Sequence, residues 1–211
     1  MTKEKKGEPI TISPPNFQTV EFTIEGTAPY VQNKFSNRER DKMRKTQEAG
    51  STSKKGKKRE PKDFQRCYEE ATHRTADGQC GVPAPAFRNA MIDACRMAGF
   101  QMTRARMSVF IEPDGFDPDD GTPLVFFKKG EPQRFDSVVR ISMGSTDIRP
   151  RPIWEPGWEI DLRVKFDADQ FTKDDVANLL LRAGEQVGVG EGRPFSKSSN
   201  GQGWGTFTFA R

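Results

Sequence analysis

Two segments of this chain alternate so regularly that each reads as a strand with one face buried and the other in water. From Thr19 to Thr27, Val20, Phe22 and Ile24 take turns with Glu21, Thr23 and Glu25. From Glu159 to Phe166, Ile160, Leu162, Val164 and Phe166 oppose Asp161, Arg163 and Lys165. Each segment is followed, directly or after an insertion, by helical periodicity. Over residues 81–98, Phe87, Ala90, Met91, Ala94, Cys95 and Ala98 share one face, with Pro83 and Pro85 before them, Arg88 pointing elsewhere and Gly99 as the stop. Thr172 and Asp175 then form a capping-box pattern ahead of a second stripe, Val176, Leu179, Leu180 and Ala183, which Gly184 is expected to end. Met107–Ile111 and Trp204–Phe209 read as further strands, and Leu124–Phe127 and Val138–Ile141 as the arms of a hairpin. Residues 144–152 (GSTDIRPRP) read as irregular because of their prolines. The order predicts an α+β fold with a ferredoxin-like (RRM-like) βαββαβ core, in which two helices cover one face of an antiparallel sheet.

The 211 residues fit one elaborated domain over 18–211 after a tail at 1–17. Hydrophobic residues make up only 33%, so the core is modest and the connections are long. No run approaches the roughly 20 apolar residues of a membrane span, and the first residues lack the apolar centre of a signal peptide. A soluble cytoplasmic protein is expected. Cys67, Cys80 and Cys95 are odd in number and lack a CxxC pair, which fits a reducing compartment. Cys67, His73 and Cys80 share a short stretch without the spacing of a four-ligand zinc site, so no metal is expected.

The net charge of +4 conceals an asymmetry: residues 34–66 hold thirteen Lys/Arg against five Asp/Glu, so the rest of the chain is net acidic. The segment reads as a long basic insertion between first strand and first helix, flexible in its Gly/Ser/Lys-rich second half. Arg38, Arg40, Arg44 and Lys45, together with Lys54, Lys55, Lys57, Lys58 and Arg59, can neutralise phosphates independently of sequence, and Lys34 opens the same block. Single strands also need aromatic faces for stacking. Tyr30, Phe35 and Phe64 flank the block, Trp154 and Trp158 lie in an irregular stretch or core, and Arg149 and Arg151 form a second basic pair.

The run AGEQVGVGEGRP fails as a dinucleotide fingerprint because it follows a helix and leads to a strand. Gly188, Gly190 and Gly192 permit positive φ and bring backbone close to a ligand or a neighbour, with Arg193 beside them; a tight helix-to-strand connection is the plainer use. This loop, the glycine-punctuated ending GQGWGTFTF and the helix entry GVPAPAFRNAMIDACR together resemble the RAMP superfamily of CRISPR proteins. The part from VVRISMGSTDIRPRP onward is also similar to RAMP-like proteins of phages and prophages. The resemblance runs from about residue 18 to residue 209, apart from the basic insertion. It implies a ferredoxin-like core, head-to-tail homo-oligomers along a single strand of DNA or RNA, and an insertion that grips the strand.

Catalytic constellations are weak. His73 is the one histidine, at the edge of the mobile region, and DPDD at 117–120 reads as a solvated turn. No Ser/His/Asp or Cys/His pair follows from spacing. A non-catalytic, cofactor-free, single-strand-binding phage protein is therefore expected. The alternatives are a protein-interaction factor, with a phage or host partner, that mimics or caps a RAMP assembly, and a metal-independent ribonuclease using His73.

Overall fold

The computed structural model describes residues 13–48, 61–142, 145–197 and 201–211. In chain order the elements are β1 (Phe17–Gly26), β2 (Tyr30–Val31), α1 (Asn37–Glu48), α2 (Phe64–Glu70), β3 (Gly81–Pro83), α3 (Ala84–Ala98), α4 (Met102–Ser108) and β4 (Val109–Glu112). They continue with β5 (Gly115–Phe116), β6 (Pro123–Lys129), β7 (Gln133–Ser142), β8 (Ser145–Trp154), β9 (Glu159–Asp167), α5 (Lys173–Arg182) and β10 (Phe207–Phe209). The protein is α+β, with antiparallel sheets. The larger sheet has seven strands in the order β10-β1-β9-β6-β3, with β4 on β9 and β5 on β6; the smaller runs β2-β8-β7. No helix among the described residues is long and apolar enough to cross a membrane.

The alternation read in the sequence sets the centre of the larger sheet. β1 and β9 pair antiparallel over Phe17–Glu25, with Ile24 opposite Ile160 and Phe22 opposite Leu162. Ile160, Leu162 and Val164 are fully buried, and each such side chain contributes about 1.5–3 kcal/mol of transfer free energy. The far edge of β9 is divided: β4 takes Arg163–Phe166 and β6 takes the Glu159–Ile160 end. α3 and α5 pack on this buried face through Phe87, Ala90, Met91, Ala94 and Cys95 from one and Val176, Leu179 and Leu180 from the other. The capping box of Thr172 and Asp175 is formed. Tyr30, Phe127, Trp154 and Trp158 then join the two sheets, with Phe127 stacked on Trp154 at 4.5 Å.

Several sequence expectations are corrected. Residues 145–152 belong to a regular strand, β8. β2 pairs only with Ile153 and Trp154, and beyond them Gln32 N donates to the Pro152 carbonyl, so on that side no regular ladder requires the N–H that Pro150 and Pro152 lack. β7 pairs with β8, whereas β6 joins β3, β5 and β9, so the expected β6–β7 hairpin does not form. Gly184 does not end the second helix. The chain continues as a π turn through Val187, and Gly184 is where Phe207 comes too close for a Cβ. Met107 is helical, with the strand starting at Val109, and Trp204 lies in a turn before β10. Of the basic insertion, 37–48 is helix and 64–66 opens α2, while 49–60, most of the half expected to be flexible, fall outside the described residues.

Candidate nucleic-acid interface

α1 begins on a Ser-x-x-Glu sequence. The Ser36 hydroxyl accepts from the Glu39 amide, and the Ser36 carbonyl from Arg40 N. None of its described side chains is buried. A helix polar on every side depends on pairs along its surface, and here Lys42 meets Glu39 at 2.8 Å while Arg44 meets Asp41 at 3.2 Å and Glu48 at 3.8 Å. Such exposed pairs contribute about 0–1 kcal/mol each.

What fixes α1 in place is the turn at 117–122. Gly121, at φ 73°, closes it with an N–H bond to the Asp117 carbonyl. Asp117 is fully buried, contrary to the solvated turn the sequence suggests, and accepts from Lys34 Nζ at 2.9 Å and from the Asp119 amide at 3.0 Å. His73 Nδ1 lies 2.8 Å from its other oxygen. Lys34 also pairs with Asp119, and Arg40 reaches the Asp119 carbonyl and the Asp120 carboxylate. Burial pushes the Asp117 carboxyl up, but hydrogen bonds from Lys34, the Asp119 amide and His73 outweigh it and hold its pKa below the ordinary carboxylate value. Burial likewise pulls the Lys34 ammonium down, and its bonds to Asp117 and Asp119 leave it above the ordinary lysine value. Behind them, Gln32 accepts from His73 N and donates to Tyr30 Oη and the Gly81 carbonyl.

Held this way, α1 faces α2 across a charged cleft of about 550 Å³. Arg38, Lys42, Lys45 and Arg66 line it together with Asp41, Glu70 and Asp119. α2 starts at Asp63, whose carboxylate caps the Arg66 amide, and its i, i+4 pair Arg66–Glu70 turns toward α1. The opposite side of α2, with Phe64 and Tyr68, faces the small sheet: Lys62 and Arg134 lie over the Phe64 ring, and Tyr68 donates to the Pro132 carbonyl. Phe35, just before α1, is 54% exposed.

The structure therefore divides the candidate residues. Phe35, Arg38, Arg40, Arg44 and Lys45 are brought together on or beside α1, and Lys54, Lys55, Lys57, Lys58 and Arg59 lie outside the described residues. The others serve the fold. Lys34 is buried in its ion pairs, and Tyr30 is a core residue whose phenol burial pushes well up despite the Gln32 hydrogen bond. Trp154 and Trp158 are fully buried. Arg88 donates to the carbonyls of Val109 and Arg106 and lies over Phe110, tying α3 to β4. Arg151 is buried with Nε 2.9 Å from Glu191, and Arg149 is 3.6 Å from Asp147. Arg193 donates to the Gly190 carbonyl. Gly188, Gly190 and Gly192 all have positive φ and lie against Pro194, Tyr30 and Trp204, which makes the loop a close-packed connection.

Sequence reasoning missed the Lys34–Asp117–His73 network, whose partners are far apart in the chain. A signal was available in DPDDGT, where an aspartate ahead of a glycine turn is placed to accept from the turn amides. Among the described residues one group has metal-ligand geometry, His73, Asp117 and Asp120, with ligand atoms within 4.8 Å. It is not the cysteine set weighed in the sequence, and the Lys34 ammonium already supplies positive charge to Asp117.

No family model matches this chain, and no curated protein matches it.

Proposed function

We propose that this chain is a non-catalytic single-stranded nucleic-acid-binding protein on a ferredoxin-like, RAMP-type frame, phage-encoded, acting in the host cytoplasm and assembling as a homo-oligomer. The observation that carries the reading is α1: a helix with no buried side chain among those described, fixed by a buried ion network, holding Arg38, Lys42 and Lys45 across a cleft from Arg66 and leading into the basic run 54–59. Phosphates can exchange for the weak pairs along α1, and exposed Phe35 offers a base a stacking face. The frame is supported by the strand order β10-β1-β9 with β4 beyond, all antiparallel, and by α3 and α5 on one face. That is the order two interleaved βαβ units give.

A ribonuclease is the second reading, favoured by His73 Nδ1 lying against Asp117 in the manner of an oriented general base. Here the pair anchors α1, and the His73 side chain is only 10% exposed.

The test is titration of short fluorescent single strands and duplexes over a salt series. Tight single-strand binding without cleavage is expected. Replacing Arg38, Lys42, Lys45 and Arg66 with alanine should flatten the log–log salt slope by about 3, at roughly 0.7 per lost phosphate contact. An unchanged slope removes the cleft from the binding site, and cleavage abolished by His73→Ala favours the ribonuclease.

A further inference from the structure

We infer that two copies of this chain join edge to edge through β7, forming a two-fold dimer with one continuous sheet. The inference takes the homo-oligomer of the proposed function as a two-fold contact distinct from head-to-tail assembly, and it does not depend on nucleic-acid binding.

β7 is the end strand of the small sheet, ten residues long, with no strand beyond it among the described residues. Its outward N–H and C=O groups form a ladder that another strand can complete. The end strands of the larger sheet are blunted: β3 is three residues and contains Pro83, and β10 is three residues. β7 has no proline, and its register shift is confined to the Arg140/Ser142 end.

The side chains show which strand fits. Val138 is 70% exposed and Ile148, directly opposite it on β8, is 45% exposed, so an aliphatic pair stands unpacked on one face at this edge. A two-fold axis through Val138 sets Val138 against its own counterpart. It extends the apolar row from Ile148 of one copy to Ile148 of the other. An axis through Asp136 would instead set that carboxylate against its own counterpart, which disfavours that register. A second copy of β7 thus completes the ladder and covers the aliphatic pair. The product is a six-stranded sheet, β2-β8-β7 doubled.

Sedimentation equilibrium of the full chain without nucleic acid tests this. The wild-type protein should be a dimer, and Val138→Lys, which places two ammonium groups face to face, should raise the dimer dissociation constant at least about tenfold. Cysteine scanning reads the register independently of that variant's folding. Val138→Cys lies opposite itself at the Cα spacing of about 4.5–5.5 Å for antiparallel partners, within disulfide reach, and should form an interchain disulfide on mild oxidation. Ile148→Cys, one strand further back in each copy, should not. A wild-type monomer at every concentration, or equal cross-linking at 138 and 148, overturns the inference while leaving strand binding by the α1 cleft as it stands.

Discussion

Arg151 in β8 and the arginines of α1 meet opposite fates. Arg151, between two prolines on a strand in the packed part of the small sheet, is buried against Glu191, and Arg149 lies beside Asp147. Arg38 and Arg44 sit on a helix with no buried side chain among those described, where Arg44 shares its charge with Asp41 and Glu48 across open solvent. Positive charge in the sequence marks a binding surface only where the backbone keeps the side chains out of the core. β8 returns beside the glycine loop and finds a carboxylate there, whereas α1 is held at one end and projects its cations into a cleft.

The difference can be broken at its anchor. Asp117→Ala leaves Lys34 and His73 without their shared partner inside the protein and should cost about 3–5 kcal/mol in urea denaturation. A loss below about 1 kcal/mol would mean the network does not hold α1. Phe35→Ala should leave the urea midpoint unchanged, because the ring is largely exposed, and weaken single-strand binding by about 1–3 kcal/mol. Equal weakening of duplex binding would argue against stacking.

Acid and alkali probe the same anchor with known signs. The lowered pKa of Asp117 makes its contribution complete above the unfolded value of about 3.9 and lost as pH falls through the lower folded value. The raised pKa of Lys34 makes its contribution complete below about 10.4 and lost as pH rises through the higher folded value. Stability should be level between these limits as far as this pair governs it, and Asp117→Asn should flatten the acid limb. The smallest effects belong to α1 itself: Lys42→Ala and Lys45→Ala should each alter stability by no more than about 0.5 kcal/mol, and Arg151→Ala should destabilise the protein without changing the salt slope of binding.

The sequence carried the fold where one local rule decided the outcome. Alternation at 160–166 and the stripe from Phe87 to Cys95 needed only a period, and both are buried as read, whereas Ala98 at the end of the expected stripe is exposed. It failed where the deciding contact is long-range. Nothing local in IRPRP reveals that β7 lies alongside to make it a strand, and nothing beside Lys34 shows that Asp117 will bury it. The site was half legible for the same reason: the cluster of cations was plain, but α2, which supplies the opposite wall of the cleft through Arg66, gives only a seven-residue signal.

Where a strand lies on the protein can be read directly by ultraviolet cross-linking of a thio-substituted single strand, followed by peptide mapping. Cross-links at Phe35 and on the facing sides of α1 and α2 are the expected result. Cross-links confined to the β7–β8 ribbon or to the glycine loop at 188–192, with α1 unmarked, would contradict the assignment of the cleft as the binding surface.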